Sequence, residues 1–129
     1  MCARILVADD EPFILRSLTY VLRKDGHEVL EARDGEEALA MARSGVPKIV
    51  FLDVMMPKRN GYEVLEELRK DPALAGAFVI LLTAKGQETD RQRGLSAGAD
   101  EYFTKPFSPS KITERVRQIL SGETACPTC

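Results

Sequence analysis

The chain has 129 residues, 44% hydrophobic and 29% charged, with a formal net charge of -2. That is one domain's worth of ordinary soluble chain, and its near-neutral balance without a Lys/Arg run argues against a sequence-independent grip on nucleic acid. No apolar stretch approaches the ~20 residues a membrane helix needs, and Met1-Cys2-Ala3-Arg4 lacks the apolar segment and cleavage site of a signal peptide. The expectation is a cytoplasmic protein that binds neither membrane nor nucleic acid directly.

In chain order, Ile5–Ala8 reads as a buried strand. Pro12 then opens a helix with Ile14, Leu15, Leu18 and Leu22 inside and Gly26 near its end. His27–Glu31 has only a partial apolar pattern and suits an edge strand. Asp34 with Glu37 reads as a capping box, with Ala38, Leu39 and Ala42 behind it. Ile49–Leu52 is the next strand. Asn60 and Glu63 repeat the capping device ahead of Val64, Leu65 and Leu68. Phe78–Leu82 is a further strand. Gln87–Leu95 has few apolar anchors and reads as a weakly held helix. Glu101–Thr104 is a shorter, more polar strand. Ser108-Pro109 reads as N-cap and first helical residue, with Ile112, Val116, Ile119 and Leu120 on one face and Gly122 as the stop.

Strand and helix alternate throughout, and the long strands are continuously apolar. Both features predict an α/β fold with a parallel sheet covered by helices on both faces. Five strands and five helices fit the length, as one domain over 1–121 with a tail over 122–129. Cys126-Pro127-Thr128-Cys129 is a C-x-x-C pair with no helix after it to lower a thiol pKa. A zinc site would need two more ligands, and only Cys2 and His27 remain. The pair reads as part of a flexible tail.

The polar residues collect at strand ends. The first strand runs into Asp9 and Asp10, the Ile49 strand into Asp53, the Phe78 strand into Thr83, and the Tyr102 strand into Lys105. In a parallel sheet these ends share one edge, where open α/β folds bind ligands. Taken singly, an Asp or Thr after a strand is a turn or cap residue, and Lys105 a surface lysine. Their joint placement predicts a site. Carboxylates brought together need positive charge, from Lys105 and from a hard cation such as magnesium, which all-oxygen ligands favour. A carboxylate beside magnesium, a lysine and a hydroxyl is a plausible phosphoryl acceptor.

These residues match a known family. Asp9-Asp10-Glu11, Asp53-Val54-Met55-Met56-Pro57 with Gly61, Thr83-Ala84, Gly98-Ala99-Asp100 and Lys105-Pro106-Phe107 together resemble the receiver domains of two-component response regulators, single-domain chemotaxis regulators among them. The resemblance runs over residues 3 to 121 and implies a flavodoxin-like sheet of order 2-1-3-4-5. It implies that Asp53 takes a phosphoryl group from a phosphohistidine on a sensor histidine kinase or phosphotransfer protein. Asp10, Asp53 and the Met55 backbone carbonyl would hold magnesium, with Asp9 acting through water. Thr83 and Lys105 would contact the phosphoryl oxygens, and Tyr102 would be an aromatic switch coupled to Thr83. Lys105-Pro106 would be a cis peptide. Met55 and Lys85 would border the site and tune water access. The surface carried by residues 87 to 120 would bind a downstream target. On this reading the protein is a switch that catalyses only its own phosphorylation and dephosphorylation.

Three rivals bear on the same residues. An aspartate-nucleophile phosphohydrolase would place a second Asp two residues after the nucleophile, where this chain has Met55, which does no acid-base chemistry. A flavin or nucleotide binder would need phosphate-binding Gly, Ser or Thr after the first strand, where Asp9-Asp10-Glu11-Pro12 would repel an anion. A degenerate receiver acting only as a binding module would lack some of the key residue types, and all are present.

Overall fold

The apolar runs form five strands: β1 (Arg4–Ala8), β2 (Glu28–Ala32), β3 (Ile49–Asp53), β4 (Phe78–Ala84) and β5 (Glu101–Lys105). Four helices are seen among the described residues: α1 (Pro12–Lys24), α2 (Gly35–Gly45), α3 (Gly61–Lys70) and α4 (Pro109–Ser121). The computed structural model describes residues 3–84, 98–105 and 107–121. The helix expected over Gln87–Leu95, Lys85, the Lys105-Pro106 peptide, the Gly122 stop, and Cys2, Cys126 and Cys129 lie outside the described residues.

The strands are all parallel, in the order β2-β1-β3-β4-β5. This is the expected order 2-1-3-4-5, with β2 on an edge. Each strand sends alternate side chains to opposite faces. Leu6, Val50, Leu52, Val79 and Leu81 pack on one face under α2 and α3, with Leu39, Leu65 and Leu68. Ile5, Val7, Phe51, Ile80 and Leu82 pack on the other under α1 and α4, with Leu18, Leu22, Val116 and Leu120. Double coverage is why the central strands are apolar at successive positions rather than alternate ones.

The helix boundaries follow local chemistry. Pro12 starts α1, where its missing N–H leaves nothing unpaired. Asn60 Oδ1 accepts from the Glu63 N–H at 3.0 Å, and Glu63 Oε1 accepts from the Asn60 N–H at 3.1 Å, a complete capping box. Asp34 Oδ1 accepts from the Glu37 N–H at 2.8 Å and caps α2 by that bond. At α4 the Ser108 carbonyl accepts from Lys111 and Ile112, while its hydroxyl meets the Ser110 hydroxyl at 2.8 Å.

Several strand limits differ from the sequence reading. Strands β3, β4 and β5 run on through Asp53, Thr83 and Lys105, because the backbone ladder continues past the last apolar side chain. His27 lies outside β2. Its N–H donates to the Leu22 carbonyl and its buried imidazole Nδ1 accepts from the Ala3 N–H at 3.0 Å, so it closes α1 onto β1 instead.

Candidate functional site

The ladder registers bring the polar strand ends together. Ala8 pairs with Leu52, so Asp9 and Asp53 follow side by side. Asp53 pairs with Leu82, just before Thr83, and Ala84 pairs with Lys105. The chain leaves β1 toward β2 on one side and returns at β3 on the other. The β1/β3 boundary is therefore the topological switch point, where a crevice opens at the carboxyl edge of such sheets.

Pleat parity divides the site between the two faces. In β3, Leu52 faces α2 and α3, so Asp53 faces the α1 and α4 side. Lys105 shares that side, two residues on from Phe103. Thr83 and Tyr102 have the opposite parity. Tyr102 is half-buried against the cluster under α2 and α3, beside Leu81 in the register, with Thr83 one diagonal step away. The Thr83 hydroxyl is buried and makes a long 3.5 Å contact with the Phe103 carbonyl. The structure thus brings Asp9, Asp10, Asp53 and Lys105 together directly. Thr83 lies beside them with its hydroxyl engaged elsewhere.

Lys105 is the electrostatic centre. Its Nζ lies 2.8 Å from Asp9 Oδ2, 3.1 Å from Glu11 Oε1 and 3.5 Å from Asp53 Oδ1. Asp9 is fully buried and Asp53 nearly so, while Asp10 and Glu11 face solvent. Asp9 Oδ1 accepts from the Glu11 N–H at 2.9 Å, and Asp53 Oδ1 from the Met55 N–H at 3.3 Å. Asp9 Oδ2 has the Lys105 ammonium close by but no well-angled hydrogen bond; among the described residues only His27 Nε2 shares that condition. The Met55 side chain is exposed at the rim.

Burial and then the Asp9 charge push the Asp53 carboxyl up to about 7, against the opposing pull of Lys105 and the Met55 N–H. Burial pulls the Lys105 ammonium down, but the carboxylates of Asp9, Asp53 and Glu11 outweigh it and hold its pKa above the ordinary lysine value. The site therefore contains more negative charge than one lysine neutralises. Asp9, Asp10 and Asp53 each present a carboxylate oxygen, all within 4.8 Å of one another. A buried carboxylate oxygen without a proper donor, in an all-oxygen set open to solvent through Asp10, fits a hard divalent cation.

A model of the response-regulator receiver domain matches residues 5–117. The chain belongs to the response-regulator receiver family. Phosphoryl acceptance is the function of that family, and a degenerate binding module finds no support among the site residues. The receiver is 45% identical to the alkaline phosphatase synthesis transcriptional regulatory protein PhoP of Bacillus subtilis, over 99% of this chain and 53% of that protein. It is 39% identical to the protein PilH of Pseudomonas aeruginosa, over 93% of this chain and 99% of PilH. The chain thus spans about half the length of PhoP and nearly all of PilH. Among solved structures, a Vibrio cholerae chemotaxis response regulator superposes with a TM-score of 0.86 at 28% identity, covering 92% of this chain and 99% of that one. A Francisella response-regulator receiver domain gives 0.84 at 32% identity, covering 93% and 98%.

Sequence reasoning gave Glu11 no role, although the structure sets its carboxylate on Lys105. Its place beside Asp9-Asp10 was the available signal. Arg69 was also missed. It donates to the carbonyls of Ala75, Ala77 and Gly98 and to Asp100, and so fastens the end of α3 to the entries of β4 and β5. A lone arginine in the last turn of an amphipathic helix carries no sequence signal for that role.

Proposed function

We propose that this receiver accepts a phosphoryl group on Asp53 from a phosphohistidine of a sensor histidine kinase or phosphotransfer protein, and that the modification alters binding of a downstream target. The observation that carries the reading is the Lys105 ammonium lying within 3.5 Å of Asp53 and 2.8 Å of Asp9 at the switch-point crevice. An Asp53 oxygen forms the new P–O bond as the P–N bond to the donor imidazole breaks, and the electron pair of that bond stays on the imidazole nitrogen. Release reverses the acceptor half: water attacks phosphorus, the P–O bond to Asp53 breaks, and inorganic phosphate leaves.

The attacking oxygen must be ionised, and an Asp53 pKa of about 7 works against that in the metal-free site. Magnesium, held by Asp10, Asp53 and the Met55 backbone carbonyl with Asp9 acting through water, would supply the charge that keeps Asp53 ionised and offsets the phosphoryl oxygens. Lys105 and Thr83 would contact those oxygens. Thr83 would give up its weak 3.5 Å contact to do so, and Tyr102, on the same sheet face, is the proposed reporter of that movement. The target would read the surface carried by residues 87 to 120, which includes β5 and nearly all of α4. The domain is proposed to act on no other substrate and to bind no nucleic acid directly, and a cytoplasmic place suits that role. Among the described residues no helix is long and apolar enough to cross a membrane.

The test is intact mass after incubation with magnesium and a small acyl phosphate. One added phosphoryl group is expected, absent in Asp53→Asn and with a chelator. No gain, with magnesium shown to bind, would remove the proposal.

A further inference from the structure

Lys105 is shared among three carboxylates whose costs of release differ. An ammonium has three N–H donors, and Asp9, Glu11 and Asp53 lie 2.8, 3.1 and 3.5 Å away. Their side chains are 0%, 58% and 7% exposed, respectively. Of the three, the Glu11 contact is the one with hydrogen-bond geometry, so a phosphoryl oxygen on Asp53 that draws the ammonium toward itself competes with Glu11. Releasing Asp9 would leave a buried carboxylate without its cation, a large penalty. Releasing Glu11 returns an exposed carboxylate to water, which costs little. Glu11 is also aimed rather than free. Its N–H is held by Asp9 Oδ1 at 2.9 Å and its carbonyl accepts from the Leu15 N–H at 3.0 Å, so its side chain starts from a fixed root at the head of α1.

We propose that Glu11 is a positioning residue: it holds Lys105 in the unphosphorylated state and is the partner that the incoming phosphoryl group displaces. The tether stabilises the resting form and so opposes phosphorylation. This rests on Asp53 being the acceptor. Glu11 stands outside the acidic group of Asp9, Asp10 and Asp53.

Two variants separate a tether from a general charge effect. Glu11→Gln removes the charge and keeps the length. Glu11→Asp keeps the charge and shortens the reach by one methylene. Two readings are taken. In magnesium-free protein, the Lys105 ammonium signal is followed by NMR. With magnesium and a small acyl phosphate, the initial rate of phosphorylation is followed by intact mass. The tether predicts a shifted, more rapidly exchanging Lys105 signal in both variants. It also predicts a rate about two- to fivefold above wild type in both, the factor that an exposed ion pair carries. An increase in Glu11→Gln alone would make Glu11 a background charge and overturn the proposal, as would an unmoved Lys105 signal or unchanged rates in both. Wild-type protein that takes no phosphoryl group would instead fail the acceptor assignment itself.

Discussion

Asp53 is buried beside a second buried carboxylate, and both conditions favour its neutral form. Its folded pKa of about 7 stands above the ~3.9 of an unfolded aspartate. A group raised in this way contributes stability that is complete below ~3.9 and is lost as pH climbs through about 7. Asp53→Asn removes that dependence. In magnesium-free buffer the variant should match wild type near pH 4 and exceed it by roughly 1–3 kcal/mol near pH 8, in urea denaturation at each pH. Equal pH dependence in both proteins would show that Asp53 ionises freely. The same series tests His27 with the opposite sign. Burial holds its imidazole below the ordinary value, against the pull of Asp25, and Nδ1 is already an acceptor for the Ala3 N–H. Its contribution is complete above ~6.5 and is lost as pH falls below that value. His27→Gln should flatten the acid side of the curve below pH ~6.5, and an unchanged slope there would contradict the assignment.

At the scale of elements, α3 and the end of β3 are fitted to each other at one glycine. A Cβ on Gly61 would lie 2.6 Å from the Asp53 carbonyl oxygen and 3.0 Å from Val54 Cα, both backbone atoms. The Gly61 N–H meanwhile donates to the Val54 carbonyl at 3.0 Å. Gly61→Ala should therefore destabilise the fold by roughly 2–4 kcal/mol and slow phosphorylation, because the strand end must move with Asp53 on it. Asn60→Ala, one residue earlier, removes only the cap and should cost about 1 kcal/mol with phosphorylation retained. Equal losses of phosphorylation in the two variants would count against the close-contact account. The contrast also marks what the sequence makes legible. Asn60 and Glu63 announce a helix start because capping is local chemistry. Gly61 enters the sequence reading only through the family resemblance, since its physical constraint arises only when β3 passes beneath it.

Across the whole molecule, the sheet was legible because double coverage writes itself into the chain as continuous apolar runs such as Ile49–Leu52 and Phe78–Leu82. Parallel order then gathers Asp9, Asp10, Asp53, Thr83 and Lys105 at one edge without further information. Pairings set by long side chains were not legible. The reach of Lys105 to Glu11 and the bonds of Arg69 to Gly98 and Asp100 join points far apart in sequence and leave no local pattern. Nor did the apolar runs mark how far the ladder continues; Asp53, Thr83 and Lys105 prove to be strand residues because backbone pairing runs past the last apolar side chain. Their strand membership matters, because it fixes the parity that sets Asp53 and Lys105 on one face and Thr83 and Tyr102 on the other.

The central claim is the identity of the acceptor, and trapping the acyl phosphate tests it at residue level. Protein phosphorylated with magnesium and a small acyl phosphate would be reduced with borohydride, digested, and sequenced by mass spectrometry. Reduction of an aspartyl phosphate leaves homoserine. Homoserine at position 53, lost when donor or magnesium is omitted, is the expected result. Homoserine at Asp9 or Asp10 with Asp53 intact, or phosphate on a hydroxyl that resists reduction, would contradict the account.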